Sequence, residues 1–543
     1  MRDWQHDADH VHRRRWLTLI VLCLSLVVIV VDNSILNVAV PTLAKPESQG
    51  GLDAGQSDLQ WIIDSYVLVF AGLLLTAGAL GDRFGRYRAL AGGLAVFGVG
   101  SALAAFSSSP GALIGFRALM GVGGAFIMPA TLSIITNVFR DPKERGRAIG
   151  VWAGISALGL ALGPVTGGFL LEHFWWGSVL LVNVPVVIVG LVGGYLLIPD
   201  SRDPSAPRVD VPGAVLSMLG LFILLWGLIE GPTKGWGSVE VLGAFAVGLA
   251  LLVGFLVWER TTATPMLDLD FFRKPRFSAA SMAITLTFMA LMGTIFVLTQ
   301  YLQSVRGFSP VKAGAVLMPM ALVMVVLAPI SARLVERLGS KVVLGSGLVI
   351  VSAGVASMGL FTPGTPTWLI ILSTMLFASG MANTMAPATE SIMGSLPREK
   401  AGVGSAVNDT TRQVGGAIGV ALIGSLLASR YGGRVDTDLA GAGLPSGVVD
   451  EVGGNIQQAV GIGRSTGGEL GARIIDVAEH AFMSGMRLSV LVASCITLVA
   501  AVGVFLWLPA RAPEHPGPDT AGGDGPDPDV IPAEPVAAAS QLS

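Results

Sequence analysis

Charge is what this sequence lacks most. Only 13% of its 543 residues are Asp, Glu, Lys or Arg, about half of the roughly 25% with which a soluble chain covers its surface. That deficit argues against a soluble enzyme, a disordered regulator or a nucleic-acid binder, and a net charge of -3 offers no footprint for a phosphate backbone. Cysteine is nearly absent. Cys23 and Cys495 both sit in apolar runs, so neither a disulfide framework nor a metal cluster is expected. There is no GxxxxGKS/T segment, so ATP-driven transport has no engine. No cofactor, metal or catalytic residue is expected. The opening MRDWQHDADHVHRRRW is polar and basic, and Asp32 interrupts the apolar run behind it, unlike a cleavable leader.

Apolar runs fill the space that charge leaves. Hydrophobic residues make up 52% of the chain, and mean hydropathy is +0.69. A crossing needs about 20 apolar residues. Runs at 16–39, 58–80, 87–107, 110–137, 147–171, 178–198, 211–230, 239–259, 277–302, 310–334, 341–361, 366–393, 401–429 and 480–508 predict an all-α polytopic membrane protein with fourteen transmembrane helices. Their continuity excludes a membrane barrel, whose strands alternate. With the N-terminus in the cytoplasm, roughly 23 of the 34 Lys and Arg residues fall on inner segments and roughly 8 on outer ones. Both termini are therefore expected inside.

Three segment pairs recur in order at nearly one offset. PATLSI (Pro129 to Ile134) matches PATESI (Pro387 to Ile392), DPKERG (Asp141 to Gly146) matches LPREKA (Leu396 to Ala401), and GDRFGR (Gly81 to Arg86) has an echo in VERLGS (Val335 to Ser340). The repeat divides the chain into a cytoplasmic N-terminus (1–15), a six-helix bundle (16–198), a linker with two inserted helices (199–260), a cytoplasmic loop (261–276) and a second six-helix bundle (277–508). The second bundle carries a long polar outer loop (430–479) with a short helix expected at Val448 to Ala459. Residues 509–543 are rich in Pro, Gly and Asp and are expected to be a disordered cytoplasmic tail. Two parallel six-helix halves are the architecture of a secondary transporter with a midplane site.

GALGDRFGRYR (Gly78 to Arg88) joins the second and third spans. Gly81 and Gly85 permit a tight turn with close helix approach. Asp82 can cap a helix or pair with a cation, and Arg83, Arg86 and Arg88 are expected to anchor to lipid headgroups. This loop resembles the signature loop of the major facilitator superfamily. The resemblance extends to IGFRALMGVGGA (Ile114 to Ala125) with Arg117, to GLALGPVTGG (Gly159 to Gly168) and to VDNSILNVAVPTLA (Val31 to Ala44). GLALGPVTGG is similar to the span-5 motif of proton-driven antiporters, and VDNSILNVAVPTLA to the span-1 motif of the 14-helix drug:proton antiporter branch. QWIIDSYVLVFAG (Gln60 to Gly72) and HFWWGSVLLVNVP (His173 to Pro185) look most like the exporters of quaternary ammonium compounds and cationic dyes, although Gly177 and Ser178 follow Trp176 where many members have Arg-Trp. The resemblance implies a conformational latch at Gly78, Gly81, Asp82, Arg83, Gly85 and Arg86. It also implies an antiporter motif at Gly159, Gly163, Pro164, Gly167 and Gly168, with proton-coupled export.

Ionisable residues inside spans are costly, at about 2.5 kcal/mol or more each, and therefore mark function. The candidates for proton coupling and cation binding are Asp32, Asp64, Arg117, Glu390, Asp409 and Arg412. Asp32 and Asp409 are expected in the central cavity, one from each half. Burial disfavours a charged carboxylate and a nearby cation favours it, so a carboxylate there can trade a proton for a cationic substrate. The structural alternatives are Asp32 bonding Asn33 or Asn37, and Asp409 tied to Arg412 at i+3. Glu390 lies near the inner end of its span, where water can reach it. Trp61, Tyr66, Phe70, Phe288, Phe296 and Tyr301 are candidate cavity aromatics that bind cations through their faces, or lipid-facing residues.

These features point to a proton-coupled exporter of hydrophobic, cationic compounds in a bacterial inner membrane. Its expected partners are a small substrate, protons and lipid, and it is expected to be a monomer. An exporter dedicated to a secondary metabolite of the same cell is the alternative. A proton-symport importer is disfavoured by the segment Gly159 to Gly168.

Overall fold

The computed structural model describes residues 8–43, 48, 51–54, 56–202, 210–262, 265, 267–397, 400–439, 446–454 and 456–509. The expected tail therefore lies outside the described residues, apart from position 509. Among the described residues all regular structure is helical: α1 (Ala8–Leu43), α2 (Gln56–Phe84), α3 (Arg86–Ala105), α4 (Pro110–Val138), α5 (Pro142–His173), α6 (Ser178–Leu181), α7 (Asn183–Leu197), α8 (Val211–Lys234), α9 (Val239–Thr261), α10 (Pro275–Gln300), α11 (Pro310–Leu338), α12 (Ser340–Met358), α13 (Thr367–Met393), α14 (Ala401–Asp438), α15 (Ser446–Gly454), α16 (Ile456–Thr466) and α17 (Gly468–Trp507). Among the described residues, thirteen segments are long and apolar enough to cross a membrane, α6 and α7 counting as one. The remaining expected span, 147–171, lies in the 32-residue α5, which at 1.5 Å per residue exceeds the hydrocarbon thickness.

Local chemistry marks the helix starts. Ser109, Asp141 and Ser309 each accept a backbone N–H of the first turn, at 3.1–3.3 Å, with proline at the helix start. Such a cap satisfies an orphan donor, and proline has no N–H to lose there. Two glycines break otherwise continuous helices: Gly85 (φ 117) separates α2 from α3, and Gly339 (φ 82) separates α11 from α12. Positive φ is a conformation that a Cβ penalises. The two glycines are equivalent positions of the GDRFGR/VERLGS repeat. Pro129 and Pro387, equivalent in the PATLSI/PATESI pair, likewise lie inside α4 and α13.

The helices α1–α7 share one apolar core containing Leu26, Ile62, Phe97, Met120 and Ile149. A second core unites α10–α14 and α17 through Leu298, Val355, Met381 and Phe482. The two bundles meet where α5 runs along α11 and α2 along α14. The inserted α8 packs on α2 and α14, and α9 packs mainly on α8, leaving Leu242, Val247, Leu249, Val253 and Val257 exposed as an apolar flank.

The expected polar loop at 430–479 is largely helical. The 38 residues of α14 and 40 of α17 outrun a bilayer. Their extensions pack with α15 and α16 around buried Val435, Val452, Ile456, Ala459 and Ile474. Tyr431 Oη donates to the Val452 carbonyl at 2.8 Å.

Candidate functional site

The α2–α3 turn defines one face of the molecule. There Asp82 sits at the start of α14: its Oδ1 accepts from Gly402 N at 3.0 Å and its Oδ2 from Val403 N at 3.1 Å. These are orphan donors at the positive end of a helix dipole. Arg86 Nε donates to the same carboxylate at 2.8 Å. Arg86 is buried, at 2% exposure, so it does not reach lipid headgroups as expected. Arg88 is exposed and pairs with Asp200 at 3.1 Å. Burial pushes the Asp200 carboxyl up, more than Arg88 and Arg202 pull it down. Arg83 lies over the Phe84 ring. Gly78 lets α2 touch α14, since a Cβ there would stand 2.6 Å from the Gly402 carbonyl oxygen, whereas Gly81 has room.

Further ties hold the same face. Arg145 at the start of α5 grips Glu390 of α13 with two nitrogens, at 2.7 and 3.0 Å. Glu390 thus joins the two halves through a counter-charge. Arg147 meets Glu336 at 3.3 Å. Glu336 occupies in the repeat the place of Asp82, and each meets the start of α5 or α14. Arg15 donates twice to Glu144, at 2.8 and 2.9 Å, and these bonds hold the Glu144 carboxyl below its ordinary range.

Inside the first half, Asp32 of α1 is fully buried. Arg117 Nη1 donates to its Oδ2, and Asn183 Nδ2 to its Oδ1 at 2.8 Å. Arg117 Nε donates to the Ile62 carbonyl at 3.1 Å, and the guanidinium lies 4.5 Å over the Tyr66 ring. Asn183 also donates to Ser101 Oγ at 3.1 Å. Asp32 therefore does not line an open cavity here. It is enclosed by partners 85 and 151 residues away.

The glycine motif packs against the same stretch of α1. A Cβ at Gly163 would collide with Ser34 Oγ, at Gly159 it would reach Val30 at 3.1 Å, and at Gly167 Ile35 at 2.8 Å. At Gly168 it would meet Val311 of α11 at 2.6 Å. Pro164 lies within α5. The second half repeats this seam, as Gly415 and Gly419 of α14 lie against the Thr285 and Met289 carbonyls of α10. The offsets are 256 for the glycines and 255 for their partners. At the place of Asp32, however, stands Thr287, buried and bonded to its own helix at Ala283 O.

The second half carries its charge on α14. Asp409 and Arg412 are both buried. Arg412 Nη2 donates to Thr389 Oγ1 at 3.0 Å rather than to Asp409. Asp409 Oδ1 accepts from Asn408 at 3.1 Å, while Asp409 Oδ2 and Arg412 Nε have no hydrogen-bond partner. The Arg412 guanidinium lies 4.9 Å from the Trp152 ring centroid and 5.3 Å from that of Phe288. Trp152 donates to Thr131 Oγ1 at 3.2 Å. Thr131 and Thr389 are equivalent in the PATLSI/PATESI repeat, so both repeat threonines accept from this one cluster.

The candidate aromatics disperse. Tyr66 and Phe70 are buried and stacked, Tyr301 is buried with its hydroxyl on the Thr362 carbonyl, and Trp61 packs partly buried near Leu225. Phe296 is 38% exposed. Asp64 is partly exposed on α2. Of the six, Tyr66 and Phe288 face buried guanidinium groups. Trp152, Asn183, Ser101, Arg145 and Thr389 escaped the sequence reading. The repeat had marked Thr389 and Thr131, and only their chemistry went unread.

Residues 22–420 match the sequence profile of the Major Facilitator Superfamily. Over 90% of its length the chain is 36% identical to the multidrug efflux pump LfrA of Mycolicibacterium smegmatis, covering 96% of that protein. It is 34% identical to the tetracenomycin C resistance and export protein of Streptomyces glaucescens, with 95% and 97% covered. It is also 34% identical to the methyl viologen resistance protein SmvA of Salmonella typhimurium, with 91% and 98% covered. In fold it is similar to the proton:xylose symporter XylE (TM-score 0.59, 14% identity, 93% of this chain and 97% of that one). Repeat, α2–α3 turn and profile agree, and the chain belongs to the major facilitator superfamily.

Proposed function

We propose that this chain is a proton-coupled antiporter that exports hydrophobic cations, such as drugs, dyes or quaternary ammonium compounds, from a bacterial cell by alternating access. In this reading the latch face and both termini are cytoplasmic, the transporter works as a monomer, and the two bundles rock about the midplane. The observation that carries it is the enclosed Asp32–Arg117–Asn183 cluster on the stretch of α1 that packs into the α5 glycine seam.

Ionised Asp32 neutralises Arg117. Protonation removes that charge and strands a guanidinium in an apolar interior, an imbalance of about 3–5 kcal/mol when one partner of a buried pair is lost. The packing of α1, α4 and α7 must then change, and the glycine seam passes the change to α5, which lies along α11 of the other half. A proton entering from outside thus releases the substrate outward, and its loss to the cytoplasm resets the pair. The relatives support the cargo class, since resistance to methyl viologen is resistance to an organic dication. A dedicated natural-product exporter is the second reading, favoured by the relative that exports tetracenomycin C.

The test is proton release when ethidium is added to the detergent-purified protein at weakly buffered pH. Release that vanishes in Asp32→Asn is expected. Binding without release sinks cation/proton exchange, and absence of binding favours the natural-product reading.

A further inference from the structure

The Asp32–Arg117 switch leaves Arg412 without a role, and its setting is unusual for a buried cation. It is 4% exposed, hydrogen-bonded to a neutral threonine, and has an Nε without an acceptor. Asp409 acts on its charge without an ion-pair contact, and what lies directly against the guanidinium is two ring faces, Trp152 from α5 of one half and Phe288 from α10 of the other, at 4.9 and 5.3 Å. Both distances fall within the range of a cation–π contact, which strengthens when water is excluded. Three residues back on the same helix, Asp409 holds out a buried oxygen with no donor. A cation bound to rings beside an unused carboxylate has two alternative berths, and only one is occupied.

A planar, delocalised, weakly hydrated cation is what such ring faces accept, and the guanidinium is the protein's own example of one. A second cation cannot settle beside it, because two like charges at that separation in a water-poor interior repel strongly. We infer that the faces of Trp152 and Phe288 are the seat of the transported organic cation, and that Arg412 is a tethered occupant which the substrate displaces towards Asp409. This deepens the export reading and rests on it. Displacement also explains why the seat spans both halves: when no substrate is bound, Arg412 fills it and keeps α5 and α14 in contact. Thr389 and Thr131 then act as positioning residues, one for the guanidinium and one for the indole.

The experiment is equilibrium binding of ethidium to the full-length protein in detergent, followed by dye fluorescence. Arg412→Gln removes the internal competitor. Its affinity should rise about tenfold, the gain expected when an occupant holding the seat nine-tenths of the time is removed. Trp152→Leu should weaken binding in either background. In Arg412→Gln, methylguanidinium should compete with ethidium, and in the parent protein it should not. Unchanged or weaker ethidium binding by folded Arg412→Gln overturns the inference while leaving export intact. If that variant does not fold, Arg412→Lys decides: its compact ammonium should yield the seat more readily, and ethidium affinity no higher than the parent's overturns the inference. A parent protein that binds no organic cation overturns both this inference and the reading beneath it.

Discussion

In the first half, the buried carboxylate of Asp32 has a guanidinium, an amide and a closed wall around it; in the second, Asp409 has one amide and an open oxygen. The backbones that carry them are closely matched. Gly159 and Gly163 press α5 on α1 as Gly415 and Gly419 press α14 on α10, and Gly85 and Gly339 turn the chain at equivalent places. The repeat has therefore kept the packing and let the charges diverge. Packing is constrained at every rung of a helix seam, because a single Cβ collides there. A buried charge is constrained only by its partners, and these changed sides: Thr287 stands at the place of Asp32, and the acid and base of the second half moved to α14. The balanced cluster suits a switch that a proton must break. The unbalanced one suits a site where a cation comes and goes.

That contrast is open to direct attack, beginning with the largest effect. Asp32→Asn should destabilise the protein by about 3–5 kcal/mol, because Arg117 is left buried and unpaired. Dye efflux should be lost as well. The double variant Asp32→Leu/Arg117→Met should regain most of the thermal stability and none of the transport. If the single variant melts like the parent, the first cluster is not balanced as described.

Gly163→Val and Gly419→Val should each cost about 1–3 kcal/mol by overpacking and slow turnover more than binding. Unequal effects on efflux rate would show that the two seams are not equivalent. At the α2–α3 turn, Asp82→Ala should cost at least about 2 kcal/mol, through loss of both a helix cap and the ion pair with buried Arg86, while Glu336→Ala, whose ion pair is partly exposed, should cost under about 1 kcal/mol. Equal losses in thermal melts would erase the distinction between the two equivalent carboxylates.

Asp409→Asn should change stability by less than about 1 kcal/mol, since no ion pair is broken and the amide of Asn408 keeps an acceptor. A fall as large as that of Asp32→Asn would break the comparison outright. The smallest effect concerns Glu144. Its carboxyl is held low by Arg15, so the tie persists throughout the neutral range and is lost only as pH falls through that depressed value. Glu144→Gln should therefore match the parent in melts at acid pH, below the titration of Glu144, and differ slightly at pH 7. A difference that grows on acidification contradicts the assignment.

Much of this architecture was legible without coordinates. Spans follow from apolar length, and Asp82, Gly85 and Arg86 stood out because their loop resembles the signature loop of the superfamily. What stayed hidden were the partners. The pairing of Asp32 with Arg117, and of Glu390 with Arg145 across 245 residues, depends on the rotation of each helix about its axis, and hydropathy constrains that rotation only weakly in a helix that is apolar all round. The proposed pairing of Asp409 with Arg412 failed for a related reason. Spacing of i+3 brings two side chains to one face, but Thr389 and two rings from other helices compete for the guanidinium. Residues 430–479 read as a loop because glycine and polar residues lower hydropathy. The described ones form mostly helices because buried contacts at Val435, Val452 and Ile474 offset that low propensity.

By itself the sequence determined that this chain lives in a membrane, that it is a duplicated helical bundle, and where the turn between α2 and α3 falls. Those properties depend on solvent transfer and on glycine backbone freedom, which are local. The tertiary structure alone decided which charges are neutralised, which rings face a cation and which oxygens are left open. Those depend on contacts between helices far apart in the chain, where a few ångströms separate a satisfied ion pair from a site awaiting a ligand.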